Sequence, residues 1–115
     1  MLQNTLTNIN KIEKINNIYM KLDIKPSDRS DKKLMAIFTE DGKKKKTTHF
    51  GSKGADDYTI TKDKEQRERY RTRHKKDLDT KDPTRAGYLS FWLLWGESTS
   101  LRKNIADYKK RFNFK

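Results

Sequence analysis

The sequence predicts an α+β protein, in which a small antiparallel sheet (a β-hairpin plus one preceding strand) packs with three C-terminal helices and an N-terminal amphipathic helix. Three observations predict this class. Strand-like segments come first along the chain, an Asp-Gly turn joins two of them, and apolar residues recur at helical spacing near the end. The 115 residues suit one domain, predicted at 19–115, with 1–18 as an N-terminal extension.

The composition excludes several classes of protein. Apolar residues make up 31% of the chain and cysteine is absent, so we expect a small core and no disulfides, thiolate catalysis or cysteine-based zinc site. The longest apolar run, FWLLW, is far shorter than the roughly 20 residues that span a bilayer, and no signal peptide is recognisable. We therefore expect an intracellular protein that is not secreted and has no membrane partner.

The first two elements are predicted from apolar spacing. Residues 1–18 carry leucine or isoleucine at every third or fourth position, which predicts an amphipathic helix that packs on the sheet or pairs with a partner. The segment YMKLDIKP (19–26) alternates as a strand does and stops at its proline. A turn of polar residues, SDRSD (27–31), follows it.

A β-hairpin is predicted next. KKLMAIFT (32–39) and KKKTTHFG (44–51) are expected to pair across a two-residue Asp41-Gly42 loop, because glycine accepts a positive φ without strain. A loop of this length implies a register in which Ile37 faces Lys46, Met35 faces Thr48, and Leu34 faces His49.

Three helices are predicted after a loop at 52–59. The first begins near Lys62 or Asp63 and runs to about Asp77, where DLDTKDP interrupts it. The second is expected at 83–95, with Asp82 as N-cap, Pro83 at the first helical position and Gly96 at its end. The third follows a cap at Ser98 or Thr99, and one stripe of its face carries Leu101, Ile105, Tyr108 and Phe112.

The first of these helices holds the densest positive charge. Its sequence, KDKEQRERYRTRHKK (62–76), contains four of the eight arginines within seven residues. Two i,i+4 pairs, Asp63–Arg67 and Glu65–Arg69, allow a purely structural explanation. An inward stripe of Tyr70, His74 and Leu78 would, however, leave Lys64, Arg67, Arg71 and Lys75 as a basic ridge flanked by Arg69, Arg73 and Lys76.

This ridge predicts a surface for phosphate groups, because guanidinium binds phosphate through two hydrogen bonds and the net charge is +12. A second basic patch is the hairpin tip, Lys43, Lys44, Lys45 and Lys46, which could equally prevent aggregation at a sheet edge. If tip and helix face the same way, they form one groove. The predicted contacts are with the phosphate backbone of double-stranded DNA or another nucleic acid, without reading of bases.

Other candidate sites are weaker. His49 and His74, both expected to point inward, could hold a metal with Asp56 or Asp57, but no HxxxH or HxH spacing supports this. The segment GYLSFWLLWG (87–96) is apolar nearly all round, so it is predicted to be core first, with Trp92 and Trp95 as a partner interface second.

No phosphate-binding glycine loop or catalytic triad is recognisable, so the sequence predicts no enzyme, no cofactor, no metal and no small-molecule substrate.

The pieces HFG (49–51), DDYT (56–59), RYRTRHKK (69–76) and IADYKKRF (105–112), in this order, resemble a small uncharacterised family encoded by giant and algal double-stranded DNA viruses and present in marine phage-like sequences. The resemblance covers about four fifths of the chain and leaves out the N-terminal helix. It implies a virion-associated protein, in the virion or in the cytoplasm or nucleus of an infected cell.

Three functions remain open on this basis. The first is a non-enzymatic protein that compacts or packages a viral genome. The second is a minor structural protein inside a capsid, whose basic face binds acidic coat protein. Its Trp92, Trp95 or N-terminal helix would dock against a neighbour, either a viral structural protein or another copy of the chain. The third is a metal-dependent nuclease that uses the two histidines.

Overall fold

The computed structural model describes residues 20–115, in which a three-stranded antiparallel sheet is followed by helices, confirming the α+β class. The predicted helix at 1–18 lies outside the described residues. The elements in chain order are strands β1 (Lys21–Pro26), β2 (Lys32–Glu40) and β3 (Lys43–Ser52), helices α1 (Tyr58–Thr61) and α2 (Lys64–His74), a 3₁₀ helix (Lys75–Thr80), helix α3 (Ala86–Leu89), a π-helical turn (Ser90–Leu94), and helix α4 (Leu101–Phe112).

The hairpin loop is the predicted one. Asp41 and Gly42 both have positive φ, 53° and 77°, as a two-residue turn with the twist of the flanking strands requires. The predicted register is wrong, however, by one residue. Thr39 pairs with Lys44 but Phe38 pairs with Lys46, so one residue of β3 is unpaired and forms a β-bulge.

Relative to the predicted register, the bulge exchanges the two faces of β3, because a shift of one residue moves every side chain to the opposite face of the sheet. Leu34 pairs with Phe50 instead of His49, and Phe50 is 1% exposed. His49 therefore lies on the face of the sheet opposite the core, where its Nδ1 is 2.8 Å from Ser27 Oγ. The prediction that His49 points inward is corrected by the bulge.

The helix ends follow from side-chain caps. Asp63 accepts a hydrogen bond from the backbone NH of Gln66, so α2 begins where predicted, but it ends at His74 and continues as the 3₁₀ helix. The predicted loop at 52–59 ends in the short helix α1, which Asp57 caps. The cap of α4 is Ser100, one residue beyond the predicted positions.

The second predicted helix starts later than expected. Asp82 does not cap a helix: it accepts hydrogen bonds from the backbone NH and the hydroxyl of Thr84, which close a turn before α3. After Leu89 the chain continues as a π-helical turn, in which the NH of Trp95 donates to the carbonyl of Ser90. Gly96 follows because a Cβ there would lie 2.2 Å from the carbonyl oxygen of Trp92.

One hydrophobic core joins the sheet to the helices. Leu22, Phe38 and Phe50 from the sheet pack with Leu93 of the π-helical turn and Tyr108 of α4, all of them 1% exposed or less. The predicted stripe of α4 is confirmed, because Leu101, Ile105, Tyr108 and Phe112 all contact this core. Leu89 of α3 belongs to the same core, and Tyr70 of α2 packs against it.

Candidate nucleic-acid interface

Arg71, in the middle of α2, faces the protein rather than solvent. Its Nη1 donates to the carbonyl of Trp95 at 2.7 Å and to that of Phe91 at 3.4 Å, and its guanidinium lies 4.2 Å from the centre of the Phe91 ring. Only 18% of the side chain is exposed, and this burial lowers the pKa of Arg71 from its usual value, although the guanidinium remains charged at neutral pH. Arg71 thus supplies donors to one carbonyl within the π-helical turn and to one just after it.

Arg67, one turn earlier, has a similar position. Its Nη1 donates to the carbonyls of Gly96 and Glu97, its Nε and Nη2 donate to Glu68, and only 13% of the side chain is exposed. The guanidinium also lies 5.0 Å from the centre of the Tyr58 ring. The prediction that Arg67 and Arg71 form an exposed, unpaired ridge is wrong, because both guanidinium groups bind the chain's own carbonyls.

Arg69 and Arg73 are the exposed arginines of α2, and neither has an ion-pair partner within residues 20–115. They are four residues apart and so lie next to each other on the helix surface. The predicted Glu65–Arg69 pair does not form in this part of the chain. The basic residues Lys64, Lys75 and Lys76 are exposed as well.

Three cavities share lining residues, and we call the surface that they make up the basic groove. A shallow cavity of about 330 Å³ lies between Arg69 and Arg73, and Arg73 also lines a cleft of about 430 Å³. This cleft shares Asp77 and Gly87 with a third cavity of about 640 Å³. The cationic side chains that line the basic groove are Lys32, Lys33, Lys46, Arg69, Arg73 and Arg85.

The hairpin contributes one lysine to the basic groove. Lys46 Nζ donates to Thr84 Oγ1 at 2.9 Å, which holds the lysine over the third cavity. Its position depends on the β-bulge, which turns Lys46 toward the same face as Phe50. Lys43, Lys44 and Lys45 are exposed at the tip and line none of the three cavities, so helix and tip share a groove through Lys46 alone.

Some of these charges are neutralised locally. Lys33 Nζ lies 2.6 Å from Asp57 Oδ2, and Arg85 Nε lies 3.5 Å from Asp82 Oδ2. The cations of the basic groove that have no carboxylate partner in the described part of the chain are Lys32, Lys46, Arg69 and Arg73. Sequence reasoning missed Lys32, because nothing in a strand sequence shows which cavity its end will border.

A stack of three rings forms one wall of the cleft. The Tyr70 ring lies between those of His74 and Trp95, with centroid distances of 4.1 and 4.5 Å and interplanar angles of 22° and 10°. Burial, and next the Asp77 carboxylate, raises the pKa of Tyr70 above its usual value, so its hydroxyl stays protonated at neutral pH. Trp95 is 7% exposed and belongs to the core, which corrects the prediction that it docks a partner.

Trp92 is half-buried between two arginines. The guanidinium of Arg111 lies 4.2 Å from the centre of its ring and that of Arg71 lies 5.4 Å from it. Its Nε1 is buried and has no hydrogen-bond partner within the described residues. Trp92 also lines a cavity of about 290 Å³, so of the two tryptophans it is the one that a partner could contact.

The structure does not bring the two histidines together. His49 lies near Ser27 on the outer face of the sheet, whereas His74 Nδ1 is 3.1 Å from Asp77 in the cleft. Asp57 is occupied by Lys33 and by the cap of α1. Between residues 20 and 115 no group of three or more histidine and carboxylate side chains is placed to hold a metal ion.

None of the helices described over this range is long and apolar enough to cross a membrane.

Comparison with known proteins gives one match. Residues 22–74 match the model of a family described as "Family of unknown function (DUF5754)". The matched segment contains the sheet, α1 and α2, and therefore includes Lys32, Lys46, Arg69 and Arg73. No curated protein and no solved structure matches the chain.

Proposed function

We propose that this protein binds the phosphate backbone of nucleic acids through the basic groove. The observation that carries this proposal is the pair Arg69 and Arg73, exposed one turn apart at the groove with no ion-pair partner among the described residues. An unpaired guanidinium can bind phosphate without an internal salt bridge having to break first. Lys32 and Lys46 extend the positive charge along the groove.

The pattern of charge favours the backbone over base edges. Cations spread along a groove neutralise successive phosphates and release counterions, which gives affinity without sequence specificity. Direct reading of a duplex needs a helix or a β-ribbon that enters the major groove. Helix α2 is held against the π-helical turn by Arg67 and Arg71, which turns that side of the helix inward. Because the cations are spread along the groove, we expect binding that is independent of sequence.

We also propose where this binding takes place. The resemblance to a family encoded by large double-stranded DNA viruses supports a role in the virion, where a basic protein compacts or packages the genome. The alternative is a structural protein that binds acidic coat protein and docks through Trp92, Trp95 or the N-terminal helix. Because Trp95 is buried, that alternative keeps Trp92, the exposed cations and the N-terminal helix, which lies outside the described residues.

Replacing both Arg69 and Arg73 by alanine is expected to weaken binding to all DNA sequences alike. With four groove cations engaged, the slope of log K against log salt should be about −3.6 for duplex DNA, and the double variant should lower its magnitude by about 1.8. At 0.1 M salt each lost phosphate contact corresponds to about an eightfold loss of affinity by the same relation. Fluorescence anisotropy of labelled duplexes across about 50 to 300 mM salt measures both quantities.

The matched control removes the same charge elsewhere. Lys25 on β1 and Arg102 on α4 are exposed, and neither lines the basic groove. The double variant Lys25→Ala/Arg102→Ala should bind nearly as the wild type does. Equal losses in the two double variants would mean that net charge alone drives binding, and the groove would not be the site. Absence of binding by the wild type at the lowest salt would refute the proposed function.

A further inference from the structure

We propose that the exposed face of the His74 ring, at the border of the cleft, stacks one unpaired base, which makes single-stranded nucleic acid the preferred partner of the basic groove. This inference rests on the proposed function and names its substrate class. Three observations support it: the half-exposed end of the ring stack, the size of the cleft, and the unpaired cations at its border.

The ring stack ends at His74. Tyr70 is covered on both faces, by His74 on one side and by the buried Trp95 on the other. His74 has one face on Tyr70, no further ring within the described residues stacks on its other face, and 40% of its side chain is exposed. Nucleobases stack on aromatic and histidine rings through their own π faces, so a base would extend the stack by one member.

Two contacts within the chain orient the His74 ring. Its Nδ1 is 3.1 Å from Asp77 Oδ2. The Tyr70 ring stacks on one face of the His74 ring, with 4.1 Å between the two centroids. Asp77 is in turn packed against Gly87, where a Cβ would lie 3.0 Å from that of Asp77. A rigid platform reduces the ordering cost of stacking, which favours binding.

The cleft next to His74 is large enough for a nucleotide, and its lining contains carboxylates as well as cations. Its volume of about 430 Å³ lies within the range usual for ligand pockets. Lys32 and Arg73 border the cleft without carboxylate partners in the described chain, so they can contact the phosphates on either side of the bound base. The hydroxyl of Ser90 and the carboxylate of Asp56, both in the lining, can hydrogen-bond to polar edges of a base.

A duplex can use this platform only at a cost in free energy. Its bases are paired and already stacked, so a base would reach His74 only after leaving the helix at a cost in stacking and pairing. A single strand offers its bases freely while it presents the same phosphates to Arg69 and Arg73. Backbone contacts alone would serve both forms, whereas the ring stack adds affinity for the single strand only.

The test distinguishes the contribution of the bases to binding from that of the phosphates. Labelled oligothymidylate of about 12 nucleotides is compared with an abasic strand of the same length and with a duplex, by fluorescence anisotropy at one salt concentration. The wild type should bind oligothymidylate about 5- to 150-fold more tightly than the abasic strand, which is the range that stacking of one base gives. Equal binding to both strands would overturn the inference and leave phosphate binding intact. Binding to neither strand nor to the duplex would remove the proposed function too.

Two variants at His74 test whether its ring causes the preference for oligothymidylate over the abasic strand. His74→Ala should lose the preference for oligothymidylate over the abasic strand and keep its affinity for the latter. His74→Phe retains a flat ring without the hydrogen bond to Asp77, and should restore the preference. A His74→Phe variant as weak as His74→Ala would overturn stacking as the cause, since the two differ in the ring. Thermal melts of both variants verify that the fold is retained.

Discussion

Replacement of Asp57 by alanine is expected to lower the free energy of unfolding by about 3–5 kcal/mol, as removal of one partner of a buried ion pair does. Asp57 is 2% exposed, and its Oδ2 lies 2.6 Å from Lys33 Nζ, whose side chain is 16% exposed. The same carboxylate accepts hydrogen bonds from the backbone NH and the hydroxyl of Thr59, which caps α1. The variant would leave an unpaired ammonium group in a buried place and an uncapped helix.

Urea unfolding followed by tryptophan fluorescence measures this loss. Asp56→Ala is the matched control, because Asp56 is the preceding residue and is exposed, so its replacement should change stability by less than about 0.5 kcal/mol. Adding Lys33→Met to Asp57→Ala should recover most of the loss, leaving about 1–2 kcal/mol for the missing cap. If the double variant is no more stable than Asp57→Ala, the ion pair is not the source of the effect.

Replacement of Arg71 by alanine is expected to cost about 2–4 kcal/mol of stability, since hydrogen bonds from a charged donor contribute about 1.5–3 kcal/mol and cation–π contacts add to them. The variant leaves the carbonyls of Phe91 and Trp95 without their donor and removes a guanidinium from the Phe91 ring. The melting temperature should fall by on the order of 10 °C for a chain of this size.

Arg69→Ala is the control for Arg71→Ala, because it removes the same group from the exposed side of the same helix. The two variants should separate stability from binding. Arg71→Ala lowers the melting temperature and, while folded, retains its affinity for DNA, whereas Arg69→Ala keeps its stability and loses affinity. An Arg71→Ala variant that melts like the wild type would show that this guanidinium is free, and α2 would then have the exposed basic ridge that its sequence suggests.

Local interactions account for what could be predicted without the structure. The Asp41-Gly42 turn depends on the backbone freedom of two adjacent residues, and the cap at Asp63 depends on a carboxylate three residues before an NH. The apolar stripe of α4 follows from a period of 3.6 residues. Each of these features involves residues within a few positions of one another, so their geometry is already implicit in the order of the residues.

The candidate site depended on contacts between distant parts of the chain. Arg67, Arg69, Arg71 and Arg73 form one alternating run in the sequence, yet two of them bind carbonyls more than 20 residues away and two remain exposed. A periodic pattern shows that residues share a helix face, but not which face meets carbonyl groups that still need donors. Which guanidinium groups of α2 remain free therefore depends on how the π-helical turn packs against this helix.

The β-bulge is the second feature that long-range packing decided. One additional residue in β3 places Phe50 in the core, sends His49 to the outer face and brings Lys46 to Thr84. Turn chemistry specifies where a hairpin begins, whereas the register beyond the turn is set by the side chains that the core can bury. Phe50 buries more apolar surface than His49 would, and burial of apolar surface is the larger free-energy term.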